Sequence, residues 1–220
     1  MAEAHSFSGA RRQLVEQVRA KGITSAPVLA ALGRVPRERF LGPEQQAQAY
    51  LDEALPIAAG QTISQPFTVA YQTEWLQAGP GDRVLEVGTG SGYQAAVLAE
   101  LGCEVWTIER QAALQARSER ILRALGYHVH QRLGDGTQGW PEEAPFDAIL
   151  VTAGGSWVPP ALLEQLALPR AGRRGGRLVI PLGETHHQVM TRFTRQGPDE
   201  VRREEGDVFR FVPLIADGAG

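Results

Sequence analysis

Residues 83–93 read RVLEVGTGSGY. An apolar run from Val84 to Val87 ends in glycines at 88, 90 and 92, and QAAVLAELG (94–102) then follows with a helical pattern. Strand, glycine turn and helix open a βαβ unit. Glycines at such a turn let the chain bend sharply and bring its backbone close to a ligand. The helix that follows offers unpaired N–H groups at its start. A dinucleotide fingerprint, G-x-G-x-x-G, needs a third glycine where Tyr93 stands, so the pattern is G-x-G-x-G.

Downstream, strand and helix patterns alternate. EVWTIER (104–110) reads as a strand, and QAALQARSERILRALG (111–126) as a helix whose inner stripe is Leu114, Ser118, Ile121, Leu122 and Leu125. HVHQRLGD (128–135) is the third strand. FDAILVTAG (146–154) is the fourth, apolar throughout as a strand covered on both faces should be. VPPALLEQLAL (158–168) is a helix and GRLVIPLG (176–183) the fifth strand; 187–215 read as strand, turn and strand around QGPDE (196–200). The expectation is an α/β fold, a mostly parallel doubly wound sheet with right-handed crossovers and an antiparallel C-terminal edge.

Upstream there is no alternation. RRQLVEQVRA (11–20) is helical with Gly22 as its C-cap, and SAPVLAALG (25–33) is a second helix with Ser25 as N-cap and Pro27 in its first turn. Residues 43–51 read as helical, 52–65 as irregular, and PFTVAYQTEWLQA (66–78) as a helix. The N-terminal part is expected to cap the sheet's carboxyl edge, where ligands sit in such folds. One domain spans 1–220: a helical cap and substrate loop to about 65, an α/β core over about 66–186, and C-terminal strands over about 187–215.

A chain of 220 residues buries about 70% of its unfolded surface and needs no staple. Its 22 basic and 25 acidic residues give a net charge of −3, no excess for gripping a phosphate backbone, so nucleic-acid binding is not expected. The single cysteine, Cys103, rules out an internal disulfide framework and suits a reducing compartment. MAEAHSFSGARRQ has no apolar h-region and no run reaches membrane-span length, so a cytoplasmic protein is expected, with no membrane partner. Lys21 is the only lysine and no glycine-rich run precedes it, which argues against a P-loop and against Schiff-base chemistry.

Two acidic residues extend the glycine signal. Glu109 ends the second strand, placed to accept from ribose hydroxyls, and Asp135 in Gly134-Asp135-Gly136 follows the third, where it could accept from an adenine amino group. Each alone is readily a turn or a cap. In order, they point to a nucleoside-type cofactor, with S-adenosylmethionine preferred over NAD.

The same chain carries a resemblance. QTISQPFTVAY (61–71) is similar to the signature of protein-L-isoaspartate O-methyltransferases, and VPRERF (35–40), ALPIAAGQTISQP (54–66), VLEVGTGSGYQAAVLA (84–99), GDGTQGW (134–140), APFDAILVTA (144–153), GGRLVIPLG (175–183) and FRFVPL (209–214) resemble further segments of the family's bacterial branch, in order. The resemblance implies a Rossmann-like methyltransferase domain. It would move the methyl of S-adenosyl-L-methionine onto the free α-carboxylate of L-isoaspartyl residues and leave S-adenosyl-L-homocysteine. The methyl ester would then close to a succinimide, which starts repair. It implies Ser64 as the key catalytic residue and cofactor contacts at Gln61, Thr62, Ile63, Ser64, Glu86, Gly88, Gly90, Gly92, Glu109, Arg110, Asp135 and Gly136. Substrate contacts would fall on Ser64, Val212, Pro213 and Leu214; the partners would be isoaspartyl peptides and proteins, and the enzyme a monomer. One departure is Gly154-Gly155-Ser156-Trp157, where the bacterial branch usually continues Ala-Pro.

The chemistry suits this residue set. A carboxylate with a pKa of about 3.5 is already ionised at neutral pH, so no general base is required. Joining it to a sulfonium neutralises both charges, which a dry site favours.

Other readings compete. Ser64 could simply cap the helix beginning near Pro66. Neither Ser91 nor Ser156 sits in a G-x-S-x-G elbow. His186-His187 with Glu184 is not H-E-x-x-H and has no third ligand at useful spacing, so no metal is expected and the pair reads as a polar turn. Cys103 reads as a small buried hydrophobe. A methyltransferase acting on another acceptor is the alternative function; an NAD-linked dehydrogenase and a non-catalytic adenosylmethionine-binding module are weaker ones.

Overall fold

The computed structural model describes residues 2–184 and 187–216, with only the backbone described for 2–6. The sheet has seven strands: β3 (Arg83–Val87), β4 (Glu104–Glu109), β5 (Val129–Leu133), β6 (Ala148–Val151), β7 (Arg177–Glu184), β8 (His187–Arg195) and β9 (Val201–Phe209). Their order is β5-β4-β3-β6-β7-β8-β9. The five strands from β5 to β7 are parallel, and β8 and β9 join antiparallel as the expected edge. Strand order reverses between β3 and β6, and a crevice opens at the carboxyl ends of such a pair.

On one face lie the helices α3 (Pro66–Leu76), α4 (Tyr93–Glu100) and α5 (Ala112–Ala124), with α1 (Ala2–Ala20) and α2 (Ala26–Arg34) packed on α3 and α4. Leu14, Val18, Leu32, Val97 and Leu122 close this core against Val84, Val105, Leu150 and Val179 of the sheet. The opposite core, with Leu85, Trp106, Phe146, Ile149 and Leu178, is covered by the short α6 (Pro160–Glu164) and nearby turns. Burial on both faces explains why β6 is apolar throughout.

Several elements depart from the expectation. The first helix begins at Ala2 rather than near residue 11, and Phe7 packs its added turns on Tyr50, a partner invisible to local periodicity. Residues 52–65 are not wholly irregular: β1 (Leu55–Pro56) pairs with β2 (Thr62–Ile63). Residues 43–48 are a 3-10 helix. The sixth helix stops at Glu164 because Phe146 donates to the Gln165 carbonyl and accepts from Ala167, pulling that chain into the sheet. Ser25 caps α2 as read, accepting from the Val28 amide. Cys103 is buried, with its thiol pushed up to about 12 chiefly by burial. His187 opens β8 rather than forming a turn, while His186 lies outside the described residues.

Candidate active site

A cavity of about 510 Å³ opens at the switch between β3 and β6. That volume lies within the range of about 300–1,000 Å³ usual for small-molecule sites. The glycine turn forms its floor. Gly88 and Gly90 have φ of 97° and 52°. A Cβ on Gly88 would stand 2.5 Å from the Thr152 hydroxyl, and one on Gly136 would stand 2.4 Å from Val87, so both must be glycine. Thr152, just past β6, locks the turn by donating to the Gly88 carbonyl at 2.7 Å.

Glu109 is buried and binds two loops at once. It accepts from the Gly90 amide at 2.8 Å and from the Gln111 amide at 2.9 Å. An ionised carboxylate accepts at about four positions, so two remain for a vicinal diol. Glu86 is wholly buried. The Thr107 hydroxyl donates to one of its oxygens at 2.6 Å, and the other has no partner. Burial, with the Glu109 charge adding to it against the Thr107 hydrogen bond, pushes its pKa up to about 8. Among the lining residues Arg110 is the sole cation, set against these two glutamates. Such a site suits a nucleoside bearing a sulfonium and lacks the cluster of cations a diphosphate would want.

The roof is the segment 61–64, with Ile63 buried and Ser64 half-buried. The Ser64 hydroxyl has no hydrogen-bond partner among the described residues, and its carbonyl accepts from Arg37 at 2.9 Å. Capping is not what Ser64 does. The Phe67 amide in the first turn of α3 donates instead to the Asp52 carboxylate at 2.7 Å, and the side chain of Gln65, the N-cap, makes no capping bond. At the other wall, Gly154 pairs with the C-terminal segment: its amide donates to the Val212 carbonyl at 2.8 Å and its carbonyl accepts from the Leu214 amide. A Cβ on Gly154 would press on Gln188 at 2.5 Å, which accounts for glycine in that departing loop.

The cavity thus brings together Gln61, Thr62, Ile63, Ser64, Glu86, Gly88, Gly90, Glu109, Arg110, Gly136, Val212, Pro213 and Leu214. Two sequence-derived residues stand outside its lining. Gly92 faces α5, where a Cβ would meet Ser118 at 3.1 Å, so close helix packing requires it. Asp135 accepts from both the amide and the hydroxyl of Thr137, capping a turn. Among the lining residues that the sequence pattern does not mark are Thr152, Thr89 and Tyr93. A single threonine after a strand carries no local signal of what it will meet.

A second cavity, about 580 Å³, shares Thr62, Ser64, Thr152 and Val212 with the first and runs out between Phe67, Phe209 and Arg210. Trp157, 44% exposed, lies beyond Pro213 and Leu214 in a third. No group of three or more metal-ligating side chains occurs among the described residues, and no helix there is long and apolar enough to cross a membrane.

Comparison with known proteins agrees with this geometry. Residues 9–219 match the family model for protein-L-isoaspartate(D-aspartate) O-methyltransferase. The chain is 52% identical over 214 residues to the protein-L-isoaspartate O-methyltransferase of Salinibacter ruber, covering 96% of this chain and 93% of that one. It is 50% identical to the one from Christiangramia forsetii, covering 99% of each. A Plasmodium falciparum structure described as a putative protein-L-isoaspartate O-methyltransferase in complex with S-adenosyl-L-homocysteine superposes with a TM-score of 0.79. That match is 26% identical and covers 93% of this chain and 98% of the other. The chain belongs to the protein-L-isoaspartate(D-aspartate) O-methyltransferase family.

Proposed function

We propose that this enzyme, which methylates the free α-carboxylate of L-isoaspartyl residues at the expense of S-adenosyl-L-methionine, uses Ser64 to present that carboxylate to the cofactor. The observation that carries this reading is the position of Ser64. Its unpartnered hydroxyl lies on the lining common to both cavities, where Ser64 is the one serine among the four described residues they share. The first cavity takes the cofactor and the second the acceptor chain.

Glu109 is proposed to hold the ribose hydroxyls, with Gly88, Gly90 and Gly136 allowing close backbone approach and Gln61 to Ile63 closing the roof. The cofactor supplies a methyl group on a cationic sulfur, which leaves with the bonding pair as a neutral thioether. Ser64 donates to one oxygen of the acceptor carboxylate and leaves the other free to form the new carbon–oxygen bond. No proton moves, so the step requires no base beside Ser64. Val69, Val87 and Ile108 line the cavity and keep it dry, which favours a step that neutralises two charges. Alignment supplies much of the rate. Val212, Pro213 and Leu214 are proposed to contact the acceptor backbone. The resulting ester closes to a succinimide without the enzyme.

The absence of a basic excess supports a protein that does not bind nucleic acid, and the free Cys103 suits a reducing cytoplasm.

The test is transfer of labelled methyl to paired peptides carrying isoaspartate or aspartate at one position. Labelling of the isoaspartyl peptide alone is expected. Equal labelling of both, or of neither with cofactor binding intact, would overturn the acceptor assignment.

A further inference from the structure

Arg37 has no contact with either cavity, yet it is wholly buried. Its guanidinium donates to three carbonyls: Nε to Ala49 at 2.9 Å, one terminal nitrogen to Ser64 at 2.9 Å, the other to Glu53 at 3.1 Å. Its carbon lies 5.2 Å from the ring centroid of Tyr93, a residue of the cofactor cavity. None of the structure's ion pairs among the described residues involves it.

These partners share a topology. Ala49 and Glu53 lie on the outgoing leg of the segment that rises to β1 and β2, and Ser64 lies on the returning leg. A single planar fork therefore spans both legs at their base. A buried cation without a carboxylate is costly, and hydrophobic substitution of buried ion groups is often tolerated where shape alone matters. The fixed fork geometry is what a lysine's point charge cannot reproduce. Tyr93 sets the other side of the guanidinium against the start of α4, so the acceptor loop is referenced directly to the cofactor floor.

We infer that Arg37 is a positioning residue for methyl transfer, fixing the height of Ser64 above the cofactor by clamping the two legs of the 49–64 loop. The inference rests on the proposed role of Ser64. It concerns no contact with substrate.

The experiment is a double-mutant cycle on the full chain with Arg37→Lys, Ser64→Ala and their combination. It measures kcat with an isoaspartyl peptide at saturating S-adenosylmethionine, and affinity for S-adenosylhomocysteine by calorimetry. Arg37→Lys is expected to lower kcat roughly ten-fold and to leave that affinity within about two-fold. Placed on Ser64→Ala, it is expected to cost almost nothing more, because residues acting as one unit are not additive. An equal loss in both backgrounds would make Arg37 a packing residue and overturn the inference. Undiminished turnover by Ser64→Ala alone would instead overturn the reading of Ser64, a distinguishable failure. If Arg37→Lys does not fold, Arg37→Gln, which keeps two donors, replaces it in the same cycle.

Discussion

Gly90 is held by Glu109, nineteen residues along and on the next strand of the same βαβ unit. Ser64 is held by Arg37, twenty-seven residues back in a 3-10 turn, and the first turn of α3 beside it by Asp52. The floor proposed for the cofactor is thus built largely within one βαβ unit, with the 61–64 roof, Gly136 and Thr152 added from elsewhere. The half proposed for the acceptor is gathered from the N-terminal loop, the first turn of α3, the stretch after β6, strands β8 and β9 and the C-terminal segment. In the first, backbone geometry decides and glycines mark it. In the second, long side chains bind loops that have little regular structure of their own.

Damage to each half should therefore look different. The largest effect is expected in the cofactor half: Gly88→Ala places a Cβ against Thr152 at a φ of 97°. Affinity for S-adenosylhomocysteine should fall by more than about 100-fold by calorimetry. A small change would mean that the turn is not the cofactor floor. Ser64→Ala should lower kcat by roughly 30-fold, the scale of a hydrogen bond to a charged group. It should leave the cofactor's dissociation constant nearly unchanged. A matching loss of cofactor affinity would erase the division between the halves. Glu109→Gln should do the reverse, weakening cofactor binding about ten-fold with little change in kcat at saturation.

The smallest effect concerns pH. Glu86 has its folded pKa raised above the usual carboxylate value, to about 8. Between about pH 4.5 and 8 the unfolded chain ionises there while the fold holds a proton, so stability falls as pH rises, by at most about 1.4 kcal/mol per unit. Glu86→Gln should flatten that part of the curve, a difference of at most about 3–6 °C in Tm per pH unit for a chain of this size. Parallel curves for the two proteins would show that Glu86 stays ionised in the fold.

Much of the α/β core was legible because its signals are local. Residues 83–110 announce strand, turn, helix and strand by period, and Gly88, Gly90 and Glu109 follow from their places in that unit. Legibility failed where a residue's partner is remote. Asp135 and Gly92 sit in the expected pattern but off the cavity lining, where Asp135 meets Thr137 and Gly92 packs on α5. Thr152 and Arg37 lie inside segments that carry the resemblance, but nothing local says what they will meet.

By itself, then, the sequence determined the alternating fold, the glycine turn, the acidic residue after the second strand and the family. Each is written in short-range periodicity or in an ordered set of segments. Only the tertiary structure decided which residue caps α3, that Ser64 keeps its hydroxyl unengaged on a boundary between two cavities, and what holds it there. Those outcomes depend on which distant donors and acceptors meet once water is excluded, because most buried polar groups must then find a partner across the fold, one Glu86 oxygen being an exception.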